Sequence, residues 1–372
     1  MTPYLVIILG IFSLITLPLV HRSPFLLILI GAILARSLLF LTVPTLSEDP
    51  YRYLWDGEKF YQGENPYKTA PQKKGETRPF FDKIKDQNRP SIYFPLAQII
   101  FLFAFIIKPL SFLGLKILII VADLITILLL NRDRQDLMKI YLLSPLVLIE
   151  SYLGLHLDTF LIPLAVGFII YERKNPLLAS TLLSTSLLVR PTLAVLIPAF
   201  IYRNRDLRNL IPILGAILLT IPYFTSEASA LKIYLRHWEF NASLYYLIKI
   251  IFVNHSLYAR IISYLIFAVL YPLLLKRKEP YSLILGLFFL CSPTVYPWYL
   301  LPLFAISLFT ANPLLILCYT SLLSYSVLIP YWNFGIWQEN WIMVVAEYLP
   351  VYLLMTRHFS VREWLLPSIF RK

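Results

Sequence analysis

Two adjacent carboxylates, Glu48 and Asp49, open the stretch SEDPYRYLWDGEKFYQGENPY, residues 47–67. Neighbouring carboxylates beside a low-dielectric surface resist joint ionisation, so their proton affinity is easily raised. That suits a general base, which works best with a pKa near ambient pH. Arg52 follows three residues later. Three other clusters put polar groups into apolar sequence. GLHLDTF carries His156 and Asp158, with Glu150 shortly before them; LLVRP carries Arg190; SPTVYPWYLLP carries Tyr296, Trp298 and Tyr299. Ionisable residues at membrane depth are costly, which makes them functional candidates by default. Arginine can grip a phosphate through two parallel hydrogen bonds. Aromatic rings such as Tyr296, Trp298 and Tyr299 can stack on a sugar face.

Each cluster also has a plain reading. Glu48 and Asp49 could be solvated loop acids paired with Arg52, and His156 with Asp158 a local turn cap. Arg190 could snorkel to lipid headgroups, and the aromatics could form the ordinary interfacial belt. Convergence favours chemistry: a proton acceptor, a phosphate holder and sugar-stacking rings fit group transfer from a lipid-linked phosphate donor.

The elements that would position these residues are helices in a bilayer. Apolar residues make up 58% of the 372-residue chain and charged residues only 15%, outside the soluble range. YLVIILGIFSLITLPLV and ILIIVADLITILLL are about as long as a membrane crossing requires. The first has no basic flank or small-residue cleavage site, so it reads as a span and not a signal peptide. Spans are expected at 3–20, 25–45, 114–130, 140–154, 157–171, 176–189, 191–202, 210–225, 260–275, 281–292, 297–310, 314–329 and 341–355. The fold class is thus an all-α polytopic membrane protein of about 13 transmembrane helices plus an interfacial helix over 93–109. It forms a single domain, 1–372, in which 47–92 is the first extracytoplasmic loop.

The net charge of +12 reports topology. Short loops and the C-terminal tail hold 16 Lys/Arg against 6 Asp/Glu, whereas Ser47 to Ile92 holds 9 against 8. Basic short loops mark the cytoplasmic side, which puts the N-terminus outside, the C-terminus inside and nucleic acid among the unlikely partners. Cys291 and Cys318 lie in apolar runs and suggest buried thiols without a disulfide framework. Phosphate-loop, dinucleotide and zinc-protease motifs are absent from the sequence, as is any Cys/His cluster with metal spacing. No cofactor or metal is assigned, because no ligand spacing demands one.

SEDPYRYLWDGEKFYQGENPYKTAP resembles the first-loop signature of GT-C glycosyltransferases, in particular bacterial polyprenyl-phosphate-mannose-dependent mannosyltransferases. IYFPLAQ, LLSPLVLIESYLGLHLDTF, HWEFNASLYYLI and PTVYPWYLLPL extend the resemblance in order to about residue 303. It implies a membrane enzyme that transfers a hexose from a polyprenyl-phosphate donor on the extracytoplasmic side, with inversion. Asp49 would then be the general base, with Glu48 beside it. Arg190, and after it Arg52, would hold the donor phosphate, while Asp56 braces the loop and Gly57 and Gly63 serve its turns. His156, Asp158, Tyr296, Trp298, Tyr53 and Trp55 would contact substrate. The implied partners are the sugar donor, a lipid, glycan or protein acceptor, and the lipid bilayer of a bacterial cytoplasmic or inner membrane. One departure stands out: the family often has Asn or Gly before the histidine, where this chain has Leu155. The alternative function is transport or flipping of a lipid-linked glycan, for which no inverted pair of broken helices is found.

Overall fold

A computed structural model describes residues 2–71, 78, 80–133, 135–225, 236–252, 255–310 and 312–365. The described residues are helical and contain no strand; an isolated bridge joins Phe240 and Thr294. Helix is the economical state for apolar sequence, because it satisfies backbone polar groups within the segment. Phe112–Leu130, Ser256–Leu275 and Leu314–Phe334 are long and apolar enough to cross a membrane. Pro145–Leu153 and Leu157–Tyr171 form a fourth candidate bent by 118°. The remaining apolar helices run 10–17 residues. At about 1.5 Å per residue, most of these fall short of a hydrocarbon core about 30 Å thick. Every expected span coincides with helical structure, while the number of complete crossings is not fixed by these lengths.

The chain divides into two compact units. The larger comprises His21–Leu143 and Val147–Glu239. Its central device is a packed pair: the helix Asp49–Tyr61 against the helix Pro95–Ile107. Residues 47–92 were expected to be a loop, but the stretch begins with this four-turn helix. Pro50 at its start, Asp49 in the first turn and Lys59 in the last suit its ends. Gly57 therefore serves no turn. It lies mid-helix, where a Cβ would collide with the Phe101 carbonyl, so its role is close helix approach. Gly63, at φ +80°, is the turn glycine it was expected to be. Pro95–Ile107 buries Ala97, Gln98, Phe101 and Ala104 and exposes Ile99, Phe103, Ile106 and Ile107. One face thus packs on protein, and the opposite face is apolar and open.

A second anchor is ionic. Asp123 accepts from Arg36 Nε at 2.7 Å and Tyr152 Oη at 2.6 Å, and from Tyr141. Arg36 also donates to the Leu142 carbonyl at 2.7 Å. This buried charge pair has hydrogen-bonding partners on both sides, the condition under which such a pair is tolerated.

The smaller unit comprises Met1–Val20, Ser144–Leu146 and Phe240–Lys372. Asn241 fastens its segments by donating Nδ2 to both Glu347 oxygens, at 3.0 and 3.1 Å, and its N–H to Glu339 at 2.7 Å. Tyr348 donates back to the Asn241 carbonyl at 2.7 Å. Cys291 and Cys318 are buried free thiols.

Candidate active site

The approach to Asp49 is pinned from below. Lys116 donates to the carbonyls of Phe40 and Thr42, which close the Phe25–Phe40 helix. Asp49 then begins the next helix, and its N–H bonds Ser47 Oγ at 3.2 Å. Its half-buried carboxylate makes no hydrogen bond or ion pair with any described residue. Burial raises its pKa, Arg190 and Lys85 pull it back, and Glu48 pushes it further up. Glu48 itself is 3.3 Å from Lys85. The result is an acceptor of protons held without a direct counter-ion, the condition expected of a general base.

Arg190 reaches the same place from another element. The Pro176–Val189 helix ends where Arg190 turns extended, at φ −157°, because Pro191 follows and disfavours helical backbone before it. Arg190 Nη1 lies 3.4 Å from Oδ2 of Asp158, which is wholly buried. The Arg190 side chain is 18% exposed, whereas that of Asp158 is not exposed at all. Its charge acts on Asp49, Tyr53, Tyr93 and His156 alike. Sequence reading brought Asp49, Tyr53, Asp158, His156 and Arg190 to one place, and their electrostatics join them here.

The turn carrying His156 is irregular. A π-helical turn, Leu148–Leu153, leads into Gly154, and Leu155 adopts φ +52°. His156 Nε2 stands 3.4 Å from Glu150 Oε2, both side chains fully buried. Glu150 was noted in the sequence without a role. The left-handed backbone at Leu155 is a conformation that Asn or Gly would enter at lower cost than leucine.

Other expected residues are placed less openly. Arg52 gives Nε to Asp56 at 2.7 Å and Nη1 to the Arg89 carbonyl at 3.1 Å. Asp56 also accepts from Ser91 Oγ at 2.5 Å and Gln98 Nε2 at 3.3 Å, so it braces the helix pair. Trp55 is buried against Phe81, between the cations of Lys59 and Arg78. Tyr53 stacks on Phe101 at 4.5 Å and meets Tyr93 edge-on. Burial pushes the phenols of both Tyr53 and Tyr93 well up, so both remain neutral donors. Tyr93 was not singled out as a site residue. Its only sequence signal was its place in IYFPLAQ.

Tyr296 and Trp298 lie in the smaller unit. Tyr296 is sandwiched between Phe240 at 4.4 Å and Trp298 at 4.3 Å, near parallel to both. With both faces covered it offers none for stacking. Among the described residues no cluster of His, Cys, Asp and Glu is arranged to hold a metal ion.

Residues 37–203 match the family model described as alpha-(1->6)-mannopyranosyltransferase, N-terminal domain. The chain is a glycosyltransferase. Within that class it is similar to the GT-C-like mannosyltransferases, and the matched stretch contains Asp49, Arg52, His156, Asp158 and Arg190. No curated protein and no solved structure matches the chain.

Proposed function

We propose that the protein transfers a hexose, with mannose the first choice, from a polyprenyl-phosphate carrier to an acceptor hydroxyl, with inversion. The reaction takes place on the extracytoplasmic face of a bacterial membrane that the chain crosses many times. The observation that carries this reading is the half-buried Asp49 carboxylate, without a direct partner and in the field of Arg190.

In the step itself, the acceptor O–H proton passes to Asp49 as its oxygen attacks C1 of the sugar. The bond from C1 to the phosphate oxygen breaks, and its electron pair leaves on the polyprenyl phosphate. Arg190 meets the charge growing on that phosphate, the kind of preorganised electrostatic contact that contributes most to many enzymes. Glu48 keeps Lys85 beside the base. Arg52 acts chiefly through Asp56, by setting the helix that presents Asp49. His156, Asp158 and Tyr53 contact the donor, while Trp55 packs against Phe81 more than it touches sugar.

The test is transfer by the purified protein in lipid, given polyprenyl-phosphate mannose or glucose and a panel of glycolipid, glycan and peptide acceptors. Asp49→Asn is expected to lower turnover by about 10²–10⁴-fold while donor binding persists. Arg190→Ala is expected to weaken donor binding as well. Near wild-type turnover in Asp49→Asn removes the base assignment.

A further inference from the structure

Three backbone irregularities converge on one imidazole. The π-helical turn closes with Gly154 N–H on the Ile149 carbonyl at 2.7 Å. His156 N–H then reaches back across six residues to the Glu150 carbonyl at 2.9 Å. Leu155 between them is held at φ +52°. Gly154 leaves the space the ring needs: a Cβ there would lie 2.5 Å from His156 Cδ2 and 2.9 Å from Nε2. Single π-turns and non-glycine left-handed residues cost energy and concentrate at functional sites. What this backbone achieves is to put His156 Nε2 3.4 Å from Glu150 Oε2 in a fully buried pair. The reaction as written gives Glu150 nothing to do. Another buried acid that the reaction leaves unused, Asp123, has Arg36, Tyr141 and Tyr152 as partners and reads as an anchor.

We propose that Glu150 is a positioning residue: it holds His156 with the proton on Nε2 and so orients the ring beside the phosphate-holding Arg190. A carboxylate that receives one ring N–H fixes both the tautomer and the orientation of a histidine. Nδ1 is then a bare acceptor, able to take an N–H from the Arg190 guanidinium and stiffen it for the lipid-linked phosphate. The charge of Arg190 already acts on this ring, and its Nη1 is 3.4 Å from Asp158. The 3.4 Å separation of Glu150 and His156 closes to a hydrogen bond when donor binds, as apo catalytic contacts often do. This inference rests on the proposed role of Arg190.

Glu150→Gln keeps the shape of the side chain but lets an amide choose either tautomer. It is expected to raise the donor KM by about tenfold with the acceptor KM unchanged. Gly154→Ala, which displaces the ring without altering either partner, is expected to give the same donor-side defect. Glu150→Gln in a His156→Gln background should add nothing further. In the wild-type protein with polyprenyl monophosphate bound, ¹⁵N spectra of the histidines should show His156 protonated at Nε2 and bare at Nδ1. Wild-type donor KM in Glu150→Gln overturns the proposal, as does a His156 ring protonated at Nδ1. If no donor supports transfer, the function proposed above fails, and the nitrogen spectrum still decides the Glu150–His156 pairing.

Discussion

The pair Arg52 and Asp56 should behave as one unit, and a double-mutant cycle measures whether it does. Nε of Arg52 is 2.7 Å from Oδ1 of Asp56, with side chains only 10% and 1% exposed. Asp56→Asn is isosteric and keeps an oxygen that can accept from Arg52, but it leaves a buried guanidinium without its counter-charge. Leaving one partner of a buried pair uncompensated costs about 3–5 kcal/mol. Arg52→Met leaves Asp56 with the Ser91 and Gln98 donors, so its loss should be smaller, about 2–3 kcal/mol. The double variant carries no buried charge at this site, and the two side chains should couple by about 2–3 kcal/mol. Apparent Tm in detergent, followed by intrinsic fluorescence, should fall by roughly 5–10 °C in Asp56→Asn and by about the same in the double variant, well short of the sum of the two single losses. Turnover should follow the same order, because Asp49 begins the helix that this pair braces. A double variant whose Tm loss equals the sum of the two single losses would refute the pairing argument.

The pH profile should report Asp49. Burial raises its pKa, so transfer should rise with pH as the carboxyl ionises, and Lys85→Met should move that rising limb to higher pH. The shift should be modest, because the Lys85 side chain is 53% exposed and screened. A limb that moves to lower pH, or stays still, removes Lys85 from the field of Asp49. On the proposed topology, single cysteines at exposed Asn88 and exposed Arg205 should react with impermeant maleimide from opposite faces; labelling of both from one face contradicts it. Native Cys291 and Cys318 are buried and should not interfere. Leu155→Gly should lower Tm: relief of the left-handed backbone recovers about 1–2 kcal/mol, whereas deleting a fully buried leucine costs about 2–5 kcal/mol. A rise in Tm would mean that backbone strain outweighs packing at this turn.

Helix placement was legible because long apolar runs leave the backbone one economical way to satisfy itself. The number of crossings was not, because composition does not say whether a short helix stops midway or turns. The bend of 118° between Pro145–Leu153 and Leu157–Tyr171 is such a case. Residues 49–61 looked like loop because they are polar for their surroundings and carry Gly57 mid-way. Both features have a packing cause: the helix buries Arg52, Asp56 and Glu58 through paired contacts, and its glycine admits the Phe101 backbone. Polar character was therefore a poor guide to exposure. The same confusion affected Trp55, whose place beside a charged motif suggested a ligand contact, although Lys59 and Arg78 occupy its ring.

The carboxylates were legible by type and not by task. Asp49 and Asp56 are seven residues apart on one helix, both placed by the same sequence signature. The difference between them is local supply of donors: Asp56 collects Arg52, Ser91 and Gln98, whereas Asp49 has only the longer-range field of Arg190 and Lys85. A carboxylate engaged by three donors serves as a brace, while one without them is open to take a proton. Two of those donors, Ser91 and Gln98, lie 35 and 42 positions further along the chain, so only the fold could separate brace from base. Glu150 was hidden for a related reason. Its spacing of six residues from His156 fits neither a helical turn nor a strand, and only the π-turn with a left-handed Leu155 brings the two together.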